Sequence, residues 1–464
     1  MINLVEGAFV VSDEFNLAYF DLLKNAYNEG NAAQIYNLFS TDTQKATSLV
    51  IFSSQIEAIR NRQGSISYWA YSTVDIKKPS VLLGFQKHLG TGTLFWSYDQ
   101  KGKINSFSMN DHIQPSMIQW IKHYPNKFSF SAIADNKVIA DYFGSREQTL
   151  MSVFKIIVAI EYCKQLNEGK LNEEDWINLN EVNKFYIKEL DLSHTNFLQI
   201  WEQQGKIKEG QLQLKEIAIG MIALSSNACT EYLQTLVTLQ SIENTVNQLG
   251  LKQSQIFYLC SFLLVFTKDE QSNKEDFIQN IQNLSANEVY LKSMEIHDQL
   301  IQNNDQAKDY LSRGKQLLDG EILKIQSKYF TKSTTSEYSK MLDKLNNGFW
   351  FNEQFYSRFY ALMGYVSLQN PALAKEYDHV GVKGGSSAIQ GDDFCVLTIG
   401  LFQQLKKAVP FKRTAIAFFI ESLDYETEFK LILEQYNEFI ALISLNGLYL
   451  EAVSKEIAQD QILL

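Results

Sequence analysis

The chain is poor in the residues that build fibrous or low-complexity proteins. Its 464 residues include only 5 Pro and 23 Gly, which excludes collagen-like and proline-rich architectures. Its 4 Cys (Cys163, Cys229, Cys260 and Cys395) are widely spaced with no CxxC pair. Each sits among apolar neighbours, so buried free thiols are expected rather than a disulfide framework, and the redox compartment stays open. The 6 His (His88, His112, His123, His194, His297 and His379) never recur at i, i+2 or i, i+4, and HExxH is absent. No metal ligand set is legible, and no metal or cofactor is expected.

Basic clusters are missing as well. Lys+Arg 42 against Asp+Glu 53 leaves a net charge of -11, which argues against a nucleic-acid partner and against polybasic membrane attachment. The longest apolar run, Ile256 to Phe266, is interrupted by Cys260 and Ser261 and falls short of the ~20 residues of a spanning helix. No transmembrane segment is expected. The first twenty residues carry Glu6, Asp13 and Glu14 and no basic start, so neither a signal peptide nor an anchor is read there; a signal removed before this start is compatible with the chain.

What is present is apolar and aromatic: hydrophobic residues are 45% and aromatics 13%, enough for a sizeable core in two domains. Apolar spacing predicts helices over Asn16 to Asn28, Ala32 to Phe39 and Leu49 to Arg62. Strands are predicted at Ser65 to Thr73, Ser80 to His88, Leu94 to Asp99 and Ile104 to Met109, with Asp99-Gln100-Lys101-Gly102 as a hairpin turn. Residues 1–112 therefore read as a small α+β domain, helices first and an antiparallel sheet after, an order that resembles the NTF2-like domains.

A second domain, 113–464, opens on a hairpin, Lys127 to Ala134 and Lys137 to Tyr142 around Asp135-Asn136. Helical patterns run from Met151 to about Leu368. Strands return at Val380 to Lys383, Phe394 to Phe402 and Thr414 to Ser422, and a helix, Glu426 to Leu445, closes the order. Strands at both ends with helices between them imply one antiparallel sheet carrying a helical subdomain, again α+β. Lys268 to Lys328 reads as an inserted helical segment.

Three short elements in this domain can carry chemistry. Ser152-Val153-Phe154-Lys155 opens an apolar helix, where Lys155 lies one turn after Ser152 on the same face. A partly desolvated Lys can take the Ser proton while helix-start amides stabilise an oxyanion; an N-cap Ser beside a solvated Lys explains the same letters. Ser225-Ser226-Asn227 separates two apolar helical runs. It is either a pair of helix caps or a cleft loop in which Ser225 relays a proton and Asn227 binds a carbonyl. Lys383-Gly384-Gly385-Ser386-Ser387 lies on a returning strand, where glycines suit close approach of a ligand or another backbone, Lys383 suits an anion and the Ser386 N–H an oxyanion.

The order SxxK, SxN, KxG is the motif set of class A β-lactamases and penicillin-binding proteins, and the second domain resembles a class A β-lactamase-related serine hydrolase. The resemblance implies a β-lactamase/transpeptidase-like fold, Ser152 as the acylated nucleophile, Lys155 as its proton acceptor and Ser225 as the relay to the leaving nitrogen. It also implies substrate binding by Asn227, Lys383, Gly385 and Ser386, with the Ser152 and Ser386 amides as the oxyanion hole. The substrate would be a small molecule, a β-lactam antibiotic or a D-alanyl peptide, and the location periplasmic or secreted. A penicillin-binding module or D-alanyl peptidase or esterase with slow deacylation shares every motif.

There are departures. Ser226 stands where the family usually has Asp, removing a charge that braces the loop, and Gly384 where it has Thr or Ser. Glu270-Gln271-Ser272-Asn273 matches by letters the Glu-x-x-Asn that activates the deacylating water, but lies in a polar stretch entering charged helices.

Overall fold

The computed structural model describes residues 13–461 apart from 73–79, 113–114, 254, 270–272, 370 and 409. The first helices are Asp13–Glu29, Ala32–Tyr36, Thr41–Ala46 and Leu49–Gln63, and side-chain caps start the last three. Asn31, Ser40 and Ser48 each accept a backbone N–H from the first turn that follows. The helix Thr41–Ala46 was not expected from apolar spacing because it buries no residue; its cap, not a hydrophobic face, defines it.

Strands β1 (Ile66–Ser72), β2 (Ser80–Phe85), β3 (Thr91–Tyr98) and β4 (Ile104–Asp111) form an antiparallel sheet in sequence order. Strand β2 is shorter than the Ser80 to His88 read from sequence. Lys87–Leu89 is a tight turn with His88 at φ 52° and Leu89 at φ 47°, closed by Phe85 N donating to Gly90 O at 2.8 Å. At the other hairpin Asp99 Oδ1 accepts from the Lys101 and Lys103 amides, and Gly102 takes φ 74°.

The main sheet joins both ends of the remaining chain. Strands β5 (Phe128–Ala134) and β6 (Lys137–Tyr142) meet β11 (Tyr377–Ser387), β12 (Cys395–Leu405) and β13 (Arg413–Leu423) in the order β11-β12-β13-β5-β6, all antiparallel. Short ladders pair β7 (Glu147–Thr149) with β10 (Lys332–Thr334), and β8 (Trp176–Asn178) with β9 (Gln211–Gln213). Asp135 and Asn136 turn the β5–β6 hairpin at φ 45° and 65°, as a two-residue loop with both centres left-handed requires.

Strand β13 is central and buried on both faces, so it reads as a continuous apolar run. Ala415, Ala417 and Phe419 enter the core of the helical subdomain, with Ile156 and Leu342, whereas Ile416, Phe418 and Ile420 enter a second core with Phe439 and Ile443. That second core belongs to the helix Lys430–Leu445 and to a further helix, Gly447–Gln461. The sequence reading ended on Leu445, but Asn446 accepts from Tyr449 N at 3.0 Å, and Tyr449, Leu450, Val453 and Ile457 keep a buried helical face. This closing pair also covers the first sheet: Ala70 and Leu82 share its core, and Tyr449 Oη donates to Leu89 O at 2.6 Å.

The segment 268–328 contains the helices Lys274–Gln282, Ala286–Gln302, Asp305–Ser312 and Gly320–Gln326. It is anchored through His297, whose Nδ1 lies 2.8 Å from buried Glu231 Oε1, while Glu231 also accepts from the Cys260 and Ser261 amides and the Ser261 hydroxyl. All four cysteines are free and buried. No helix among the described residues is long and apolar enough to cross a membrane.

Candidate active site

Ser152 sits in a 3-10 turn, Met151–Phe154, that runs directly into the helix Lys155–Asn167. Met151 enters the turn at φ 44°, a strained conformation for a non-glycine residue of the kind that gathers at functional sites. The turn is pinned from outside: Thr398 Oγ1 donates to Leu150 O at 2.9 Å, and Leu150 N to Thr331 O at 2.9 Å. Strand β11, an edge strand, passes against it so closely that a Cβ on Gly385 would lie 2.6 Å from Ser152 N. Glycine is needed there for the approach of a second backbone. Gly384 is different: its side-chain direction is open, with only Thr398 O at 3.8 Å.

The helix Leu214–Ala223 stops before Ser225, which turns at φ 60°, and Ser226 caps the next helix, Asn227–Val237, by accepting from Cys229 N. This loop receives both lysines. Lys155 is wholly buried, and its Nζ donates to Ser225 O at 2.7 Å, Ser225 Oγ at 3.2 Å and Asn227 Oδ1 at 2.9 Å. Lys383, also buried, donates to the same Ser225 Oγ at 3.0 Å and to Gly384 O at 2.7 Å. Two lysines from a helix start and a sheet edge thus converge on one hydroxyl.

Electrostatics follow from that burial. Desolvation lowers the Lys155 pKa to about 8, opposed by the Asp191 carboxylate and, more weakly, by Cys260 and Cys229. Burial, reinforced by the charge of Lys155, holds Lys383 well below the ordinary lysine range. A fraction of Lys155 is therefore unprotonated near neutral pH. The three N–H bonds of the Lys155 ammonium are all taken by Ser225 and Asn227. Ser152 Oγ makes no hydrogen bond to Lys155 or to any other described residue, and deprotonation would leave the amine one donor fewer and a lone pair free to accept.

Every residue singled out from sequence lies in this region: Ser152, Lys155, Ser225, Asn227 and Lys383 through the contacts above, Gly385 against the Ser152 turn, and exposed Ser386 next to it on β11. Glu270 lies outside the described residues. Asn273, its motif partner, caps the inserted helix Lys274–Gln282 by accepting from Glu275 N at 2.8 Å.

Sequence reasoning missed Asp191 and His194, which stand behind the Ser225–Asn227 loop. The pattern Asp191-Leu192-Ser193-His194 is legible as the capped start of the helix Leu192–Gln203, yet nothing in its spacing ties it to a loop more than thirty residues away.

A buried lysine pair around a serine loop, set beside a second serine in a tight turn at a sheet edge, is the arrangement of a serine hydrolase. The chain belongs to the beta-lactamase enzyme family, whose profile matches residues 113–388, more than half of its length. Among solved structures it is similar to a class A beta-lactamase representative from Bacteroides cellulosilyticus, at 15% identity and TM-score 0.40, covering 74% of this chain and 95% of that one. It is also similar to a beta-lactamase from Chitinophaga pinensis, at 16% identity and TM-score 0.41, covering 68% and 92%. A third, a beta-lactamase from Sphaerobacter thermophilus, stands at 12% identity and TM-score 0.41, covering 74% and 95%. No curated protein matches the sequence.

Proposed function

We propose that the protein opens β-lactam or related amide or ester bonds through an acyl-enzyme on Ser152, in the manner of a class A β-lactamase. The observation that carries this reading is the convergence of buried Lys155 and Lys383 on Ser225 Oγ. Neutral Lys155 takes the Ser152 proton as Oγ attacks the carbonyl carbon, and the Ser152 and Ser386 amides hold the oxyanion. Ser225 then passes a proton to the leaving nitrogen, its hydroxyl being within reach of both amines for reprotonation. Asn227 holds the side-chain amide of the substrate. Lys383 attracts its carboxylate, helped by the hydroxyl of Ser386 or Ser387. Water finally releases the acyl group and restores Ser152.

The second reading is a penicillin-binding or D-alanyl peptidase or esterase module with slow deacylation, which shares every motif and is separated from the first by the lifetime of the acyl-enzyme. On either reading the substrate is a small molecule or a D-alanyl peptide. We place the protein outside the cytoplasmic membrane, periplasmic or secreted, on family likeness, and the helices-then-sheet domain ahead of the hydrolase as an NTF2-like accessory wall.

The test is intact-protein mass with a penicillin over time, alongside Ser152→Ala and assays of antibiotic loss. A transient adduct with turnover supports the hydrolase, and a lasting adduct supports the second reading. No adduct with a penicillin or with D-alanyl esters overturns both.

A further inference from the structure

The family motif brings a carboxylate into the loop at the position where this chain has Ser226. A carboxylate is nevertheless there, brought from elsewhere in the chain. Asp191, only 2% exposed, caps the helix Leu192–Gln203 and points its Oδ2 at the loop from behind. Oδ2 accepts from Asn227 N at 2.8 Å and Ala228 N at 2.9 Å, with Ser226 Oγ at 3.4 Å. Oδ1 accepts from Ser193 Oγ at 2.6 Å and His194 N at 3.3 Å.

His194 completes the brace. Its ring is fully buried, with Nδ1 2.9 Å from Ser226 Oγ and Nε2 2.9 Å from Asn183 Oδ1. One proton arrangement satisfies every group: Nε2–H donates to Asn183, Ser226 Oγ–H donates to Nδ1, and Ser226 Oγ accepts from Cys229 N. Burial lowers the His194 pKa against the opposing pull of Asp191, in keeping with a neutral ring. The aspartate charge is then met by the Asn227 and Ala228 amides at Oδ2, by Ser193 Oγ and His194 N at Oδ1, and by the field of Lys155.

We propose that Asp191 is the positioning residue of this site: its carboxylate, supplied from a separate helix start, clamps the Asn227 and Ala228 amides and is the counter-charge behind Lys155. The clamp fixes the direction of the Asn227 side chain, and through it one of the three Lys155 hydrogen bonds. It also lets the loop hold Ser225 in its left-handed conformation without a charge of its own. Asp191 touches no substrate; it acts through Asn227 and Lys155. The consequence for acylation rests on the function proposed above, whereas the clamp and the counter-charge do not.

Three measurements on the full chain separate these levels: amide exchange at Asn227 and Ala228 by NMR, the Lys155 titration followed with ¹³C-labelled lysine, and acylation by a penicillin. In Asp191→Asn, exchange at both amides rises roughly 10- to 100-fold, as loss of hydrogen bonds to a charged acceptor dictates. The Lys155 midpoint moves below its wild-type value, and acylation slows about 100-fold. Ser226→Asp in the Asp191→Asn background returns the carboxylate to the loop and restores amide protection and the midpoint; it also supplies the comparison if Asp191→Asn alone does not fold. Wild-type exchange and an unmoved Lys155 midpoint in a folded Asp191→Asn protein overturn the proposal, as does a folded double variant without restored protection. If wild type itself is not acylated, the serine-hydrolase reading falls, while exchange and titration still decide the role of Asp191.

Discussion

Adding one methyl group at Gly385 tests whether the approach of β11 to the Ser152 turn matters. A Cβ there would meet Ser152 N at 2.6 Å, Thr398 Oγ1 at 2.7 Å and Met151 Cβ at 2.9 Å. Ordinary contacts of this kind lie near 3.5 Å, so the strand and the turn must separate by about 0.9 Å at the closest point. Neither yields easily: the turn is tied to Thr398 and Thr331, and β11 is bonded along its length to β12. Overpacking of this size costs about 1–3 kcal/mol. The displacement falls on the serine amide proposed for the oxyanion hole, where a shift near 1 Å costs about 100-fold in rate. Gly385→Ala is therefore expected to lower the midpoint of thermal unfolding and to slow penicillin acylation about 100-fold, read by intact mass. Gly384→Ala, one residue away with open space, is the control and leaves both near wild type. A Gly385→Ala protein with wild-type stability and acylation rate refutes the reasoning.

Lys155→Met abolishes acylation and stabilises the fold, because Lys155 is held near a pKa of about 8 against an unfolded value of 10.5. Below pH 8 the folded state bears the full penalty of a buried ammonium, about 3 kcal/mol. Between pH 8 and 10.5 the unfolded chain binds the extra proton, so wild-type stability rises with pH and the gap to Lys155→Met narrows; denaturant melts across that range check the sign. The acylation rate of wild type rises with pH through about 8, measured in stopped-flow or quenched mass experiments. Glu231→Ala strands the buried Cys260 and Ser261 amides and His297 and costs roughly 3–5 kcal/mol, checked by denaturant unfolding; a loss under about 1 kcal/mol contradicts it. Tyr449→Phe removes the bond to Leu89 O and costs about 1 kcal/mol, with acylation unchanged.

Much of the fold was legible because its signals are local. The Asp135-Asn136 and Asp99–Gly102 turns and the apolar runs of β5, β12 and β13 are short-range patterns, and the return of the end strands to one sheet follows from their order. The helix Thr41–Ala46 was missed because it buries nothing, and Gly447–Gln461 because its apolar face follows directly on another helix with only Asn446 between them.

The sequence by itself determined which groups are available for chemistry. Ser152 and Lys155 share a helix face by spacing alone, and Gly385 and Lys383 share a strand by alternation. Only the tertiary structure decided what surrounds them. Packing the helix Lys155–Asn167 against the Ser225 loop removed water from Lys155 and so moved its pKa, which no spacing encodes. Likewise Ser226 reads as the loss of a charge until the chain brings Asp191 behind it. Desolvation and Coulomb energy depend on distances through space, and residues 191 and 227 are near only once the core has formed.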